Sequence, residues 1–187
     1  MKKKSLVALV LLLMCCARID AIKAKFANEK YDRDSIILSG RVIDIVHGNI
    51  IVMVTSNNGF DHYFKAVLYG VRIPDITWVR DYDNDTFTIE PCADEAYMFF
   101  AVNVFNQDVE LEVISLDDQG REIGIVYLQK KNINLEVLSK GLGRVDFTTI
   151  QNEDVPIYLE AELKAKTSRL GVWGYDDSYT SQQKIHD

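Results

Sequence analysis

The sequence predicts a mainly β fold with α-helices, built as a five-stranded Greek-key barrel carrying about three packed helices. Three observations carry that expectation. First, Ile36–Val46, Ile50–Thr55 and Tyr63–Val71 are rich in β-branched and apolar residues, and short turn signals separate them at His47–Gly48–Asn49 and Asn57–Asn58–Gly59. Second, Ala93–Phe105 spaces Ala96, Phe99, Phe100 and Val104 near a helical period. Third, two more strands follow at Val109–Ile114 and Ile123–Leu128, with two helices after them. A three-strand meander, a helix, two strands and two helices suit a small barrel of the oligonucleotide/oligosaccharide-binding type.

Each boundary has a local reason. Gly40 is expected to break the first strand, since glycine weakens a strand interior. Pro74 ends the third, because proline offers no donor to the ladder. Asp75–Pro91 is polar and acidic and reads as a loop. A polar turn at Gln129–Asn132 opens a helix with Ile133, Val137 and Leu138 on one side. That helix stops at Gly141, where the chain needs positive φ, and a strand begins at Leu142. Pro156–Trp173 reads as a final helix whose stripe of Leu159, Leu163, Leu170 and Trp173 packs on the core.

At 187 residues and 48 % hydrophobic content, the chain suits one globular domain behind a processed leader. Lys2, Lys3 and Lys4 precede the apolar run Leu6–Met14, which is too short to span a bilayer. Residues 1–21 therefore read as a signal peptide, 22–35 as a tether, 36–175 as the domain and 176–187 as a disordered tail. The chain is expected to be exported, either to a bacterial envelope or into the medium or periplasm. Cys15 and Cys16 close the apolar run, where a lipoprotein carries its acylated, membrane-anchoring cysteine. Ordinary cleavage after Ala17 fits equally, since Cys15 and Ala17 make a small-x-small pattern. The net charge is −7, and losing the three lysines makes the remainder more acidic still. Such acidity argues against a general polyanion binder, although a local basic groove is compatible with it. With Cys92 the sole thiol beyond the leader, no disulfide framework is expected.

The run Gly120–Val145, GREIGIVYLQKKNINLEVLSKGLGRV, resembles the staphylococcal nuclease (thermonuclease-like) family. That family is marked by a glycine–arginine corner, a strand, a helix opened by asparagine and a G-L-A-V run. Arg169–Trp173 is also family-like, and the resemblance covers roughly residues 40–173. It implies the barrel, and a calcium-dependent cleavage of phosphodiesters in DNA and RNA. The family's chemistry uses aspartates on the metal, a glutamate to activate water and two arginines on the phosphate.

Carried onto this chain, the resemblance places altered residues at most of those positions. The family's D-G-D-T hairpin reads His47–Gly48–Asn49–Ile50, so the neutral Asn49 stands for a calcium aspartate. Val67–Asp75 aligns without a gap to the family's R-L-x-G-I-D-x-P-E. Val67 then stands for a phosphate arginine, Arg72 for the second calcium aspartate, and the shorter Asp75 for the general base. Arg121 keeps the second arginine, Asn134 matches a structural asparagine, and Phe147 stands where a tyrosine is expected. Calcium is expected for the family but not here: Arg72 should occupy the metal's place and pair with Asp75 or another nearby acid.

Other candidates are weaker. Lys65 lies two residues before Val67 on the same strand face and reads either as a phosphate contact or as a solvated edge lysine. Asp81, Asp83 and Asp85 superficially suggest a calcium loop, but Thr86 and Cys92 stand where glycine and glutamate are required. His47, His62 and His186 show no metal-ligand spacing. Tyr69, Trp78 and Tyr82 read as core or loop anchors, or as an aromatic rim beside the cleft. The expected function is a catalytically degenerate nuclease homologue, a monomer acting as a binding or scaffold module at the envelope. Its ligand would be nucleic acid or an envelope protein. The alternative is a divergent, active phosphodiesterase using Asp75 and Arg121.

Overall fold

A computed structural model describes residues 36–46, 49–57, 59–80 and 85–175, with the side chains of 57 and 76–88 outside that description. The leader with Cys15 and Cys16, the tether, the tail, His47, His186, Tyr82, the acidic side chains at 81, 83 and 85, and the Trp78 side chain all lie outside it. In chain order the elements begin with β1 (Ile36–Val46), β2 (Ile50–Asn57), β3 (Phe60–Leu68), β4 (Val71–Arg72), β5 (Ile76–Arg80) and β6 (Asp85–Ile89). Next come α1 (Ala93–Asn103), β7 (Asp108–Leu116), β8 (Glu122–Leu128) and β9 (Lys131–Asn132). The chain continues through α2 (Ile133–Ser139), β10 (Arg144–Val145), α3 (Val155–Thr167) and a 3₁₀ turn at Gly171–Trp173.

The strands β3, β2, β1, β7 and β8 are neighbours in that order, all antiparallel, and β3 pairs with β8 in parallel. This closes a five-stranded mixed barrel of the oligonucleotide/oligosaccharide-binding type, with three helices packed against it. Closure matters physically because it gives every one of these five strands a neighbour on each side, although β1 before Arg41 and β2 beyond Val54 do not pair with each other. Val42, Ile51, Met53, Ala66, Leu68, Leu111 and Val126 fill the interior. Phe100 and Val104 of the α1 end, and Ile133, Val137 and Leu138 of α2, extend the same core as their spacing predicts.

Several boundaries differ from the sequence reading. The strand β1 runs unbroken through Gly40, where a Cβ would sit 2.6 Å from the Val54 carbonyl oxygen. The glycine permits close strand approach, and the irregularity falls instead between Val42 and Asp44. The strand β3 ends at Leu68, before the Tyr69–Gly70 turn rather than at Pro74. Val71–Arg72 then leaves the barrel to pair with Arg144–Val145. The expected loop 75–91 contains the hairpin β5–β6, in register from Ile76↔Ile89 to Arg80↔Asp85. Its Ile, Thr and Val residues carry strand propensity that the acidic composition masked.

The final helix is the largest correction. It ends at Thr167, and Leu170 and Trp173 belong to a separate turn beyond Arg169, whose φ is 51°. Its buried face is Tyr158, Ala161, Glu162 and Ala165, while Leu163 is 59 % exposed and Leu159 38 %. Two alanines one turn apart let the helix lie close to its neighbours, so the leucine stripe faces out.

Candidate functional site

The register of three strands assembles the site at one end of the barrel. Ile50 lies opposite Val67, Val67 opposite Ile123, and Ala66 opposite Glu122. Asn49, Val67 and Arg121 are therefore brought to the same end from three separate segments. The Leu68 N–H donates to the Asn49 carbonyl at 2.9 Å, and the Asn49 amide Nδ2 donates to the Val71 carbonyl at 3.4 Å. Asn49 thus ties the barrel to the ribbon β4–β10. Val67 is 7 % exposed and packs in the core, an apolar side chain where the resemblance implies a cation. Lys65 lies on the exposed part of β3, opposite Val52.

Arg72 projects from the ribbon and binds a carboxylate that the sequence reading assigned to a solvated loop. Its Nη2 donates to Glu90 Oε1 at 2.9 Å. Glu90 Oε2 accepts the backbone N–H of Asp75 at 3.1 Å, and the Glu90 N–H donates to the Asp75 carbonyl at 3.0 Å. One carboxylate therefore holds both the Arg72 guanidinium and the main chain of Asp75. The expected pairing of Arg72 with a nearby acid is met by Glu90. The signal was available: reading Ile76–Ile89 as a hairpin places Glu90 beside Asp75 at its base.

Arg121 is held by a different device. Asp117 Oδ1 accepts the backbone N–H groups of Gln119 and Arg121 at 2.9 Å each, closing the corner before β8. Asp117 Oδ2 takes the Arg121 Nε at 2.5 Å. The Arg121 N–H, then its guanidinium and the Gln119 N–H, hold the Asp117 carboxyl below the usual carboxylate range. A fixed, partly buried guanidinium of this kind suits an anion in fork geometry.

The remaining candidates divide clearly. Tyr69 is fully buried; its hydroxyl donates to Asp154 Oδ2 at 2.6 Å and accepts the Gln151 N–H at 2.7 Å, so it anchors the core and forms no rim. Asn134 is also fully buried, accepting the Val126 N–H and donating to the carbonyls of Tyr69 and Gly124. Phe147 is exposed just beyond the ribbon, where the Asp146 N–H meets the Gly70 carbonyl. His62 sits exposed on β3. Among the described residues no three His, Cys, Asp or Glu side chains group as metal ligands. Trp173, expected in the core, is only partly covered: the Arg144 guanidinium lies 4.1 Å and the Lys166 ammonium 4.3 Å from its ring centroid.

Comparison with known proteins agrees with this architecture. Residues 65–175 match the family model described as staphylococcal nuclease homologue. The match includes Val67, Arg72, Asp75 and Arg121, while Asn49 precedes it and is placed by the β2–β3 pairing. A staphylococcal nuclease domain-containing protein 1 of Schizosaccharomyces pombe is 35 % identical over 111 residues, covering 57 % of this chain and 13 % of that protein. An uncharacterized endonuclease of Haemophilus influenzae is 34 % identical over 88 residues, covering 44 % and 48 %. A probable endonuclease LCL3 of Pyricularia oryzae is 29 % identical over 99 residues, covering 49 % and 38 %. The chain therefore spans less than half the length of each of these relatives. The family match, the barrel topology and the convergence of the site positions give one conclusion: the chain belongs to the staphylococcal nuclease homologue family.

Proposed function

We propose that this domain is a nuclease homologue that has exchanged the family's calcium centre for a salt bridge and acts by binding. The observation that carries the reading is the Arg72–Glu90 pair at 2.9 Å, at the position where the family places a calcium aspartate. Calcium takes six to eight oxygen ligands, and its affinity rises with the number of charged ones. Here one ligand position holds the neutral Asn49 amide and another a guanidinium. At ~5 Å a guanidinium repels each unit of positive charge by about 3 kcal/mol even at an effective dielectric near 20, and calcium carries two. The donor set does not fit the ion, so no step is routed through it.

What the residues retain is recognition. Arg121, oriented by Asp117, offers a fork to a phosphate or carboxylate, and Arg72 adds a second cation on the neighbouring ribbon. The ligand on this reading is nucleic acid or an acidic envelope protein. Lys2–Lys4 and the run Leu6–Met14 support export, with Cys15 or Cys16 as the lipid anchor. A second reading, a divergent phosphodiesterase, draws on the relatives named as endonucleases, on the retained Arg121 and on Asp75, the shorter carboxylate at the general-base position.

A nuclease assay on the purified protein separates them. Single-stranded DNA and RNA are incubated with calcium or with chelator, beside the Asp75→Ala, Arg121→Ala double variant. Intact substrate under all conditions, with retardation that weakens in the double variant, is the expected outcome. Cleavage that disappears in the double variant would establish the second reading instead.

A further inference from the structure

We propose that a second site, a groove at the opposite end of the barrel, binds a neutral oligosaccharide. The groove encloses about 970 Å³ and is lined by the final residues of β2 and β8, the middle of β1 and the start of β7. The family site uses the other ends of the same strands: Asn49 precedes β2 and Arg121 precedes β8. The groove is thus separate from the nuclease-like centre and stands independently of the reading given to that centre.

Its chemistry selects the ligand by elimination. Two cations, Arg41 and Lys130, are matched by two carboxylates, Asp108 and Glu110. Arg41 grips Asp108 as a fork, Nε to Oδ1 at 2.8 Å and Nη2 to Oδ2 at 3.0 Å. A balanced wall on an acidic chain lacks the uncompensated positive charge that phosphate chains require. An extended peptide is disfavoured for another reason. Pairing between β1 and β2 stops at Arg41↔Val54, so the groove opens between their unpaired ends, and a peptide strand would have to wedge between two neighbours that still meet closely at Gly40 and Val54.

A polyol suits what remains. Its hydroxyls both donate and accept, and the wall supplies donors on Lys130, acceptors on Glu110 and on Ser56, whose own hydrogen goes to Asp61, and groups of both kinds on Gln129. Tyr127 adds an aromatic body, oriented by its hydroxyl donating to Glu112 Oε2 at 3.1 Å. Gln129 and Lys130 also share an unusual backbone. They form the two-residue turn between β8 and β9 with φ of 51° and 68°, where Asn-Gly is the favoured pair. The strained turn places two long polar side chains on the wall of the groove, and outliers of this sort concentrate at binding sites.

The test follows backbone amide resonances of the purified protein during titration with three neutral tetrasaccharides: β1,4-glucose, α1,4-glucose and β1,4-N-acetylglucosamine. At least one should produce saturable shifts at Arg41, Thr55, Tyr127 and Lys130 while leaving Asp75 and Arg121 unchanged. The double variant Gln129→Asn, Lys130→Gly should raise Tm and weaken that affinity at least tenfold. Glu110→Gln, on an exposed strand position, should weaken it severalfold, whereas Arg121→Ala should leave it intact. The proposal is overturned if none of the three sugars saturates, or if the turn variant binds as tightly as the parent. It is equally overturned if the same amides respond instead to a single-stranded oligonucleotide or an extended peptide.

Discussion

Arg72 and Arg144 stand directly opposite each other across the two-residue ribbon that leaves the barrel. Like charges in that position repel. The structure relieves the repulsion on both strands, with Glu90 on Arg72 and the Trp173 ring beneath Arg144. The result is a ribbon of positive charge beside Asp75 on an otherwise acidic chain.

Removing the counter-ion should expose that charge. Both partners of the Arg72–Glu90 pair are well solvated, so Glu90→Gln should change unfolding free energy by less than about 1 kcal/mol. Affinity for a single-stranded oligonucleotide should rise, and its salt dependence steepen by roughly 0.7 per additional phosphate engaged. Retardation assays at several salt concentrations read both effects. An unchanged slope would place the ligand away from the ribbon.

Asn134 should be among the costliest positions to truncate. Its amide serves Val126, Tyr69 and Gly124, joining β8 to the turn that follows β3. Asn134→Ala leaves a buried N–H and two buried carbonyls without that partner, a loss of about 3 kcal/mol. Urea denaturation measures it. A loss below about 1 kcal/mol would mean that water replaces the amide.

The pH dependence has two limbs. Asp117 titrates below its unfolded value, so the native state binds fewer protons in that interval. Its stabilisation is complete above about pH 4 and fades as pH falls through the lower folded value. Asp117→Asn should therefore be less stable than the parent at pH 7, with the gap narrowing at pH 3. Burial pushes the Tyr158 hydroxyl well up, and that hydroxyl has no hydrogen-bond partner among the described residues. The unfolded chain ionises first, so stability falls as pH rises past about 10. Tyr158→Phe should match or exceed the parent at pH 7 and lose this alkaline fall.

The helix α3 offers a direct check of which face is buried. Leu163→Lys, on the exposed stripe, should alter stability by no more than about 0.5 kcal/mol. Ala165→Leu, where the helix touches its neighbours, should cost about 1–3 kcal/mol through overpacking. Thermal melts of the two variants give the comparison, and the reverse order would restore the leucine stripe to the core.

Much of the barrel was legible because its strands are bounded by residues with strong backbone preferences. The β1–β2–β3 meander, the α1 stripe and the α2 helix stopping at Gly141 all follow from period and punctuation. The same reasoning failed where composition and period disagreed. The hairpin β5–β6 was hidden by its acidic residues, and α3 carries its leucines on the face turned to solvent. At the site, Asn49, Val67, Arg72, Asp75 and Arg121 were named from the resemblance, but Glu90 and Asp117 were missed. Glu90 becomes legible only once Ile76–Ile89 is read as a hairpin, and Asp117 acts through a turn that spacing alone does not mark.

The sequence by itself determined the class of fold, the family and the chemical substitutions at the family's site, because these depend on residue types in order. Tertiary structure decided what those substitutions do. Closing β3 onto β8 converts Val67 into core. The hairpin base delivers Glu90 to Arg72, and the corner at Asp117 aims Arg121. The reason is physical: a side chain's charge is written in the sequence, but its partner depends on chain segments meeting across the barrel.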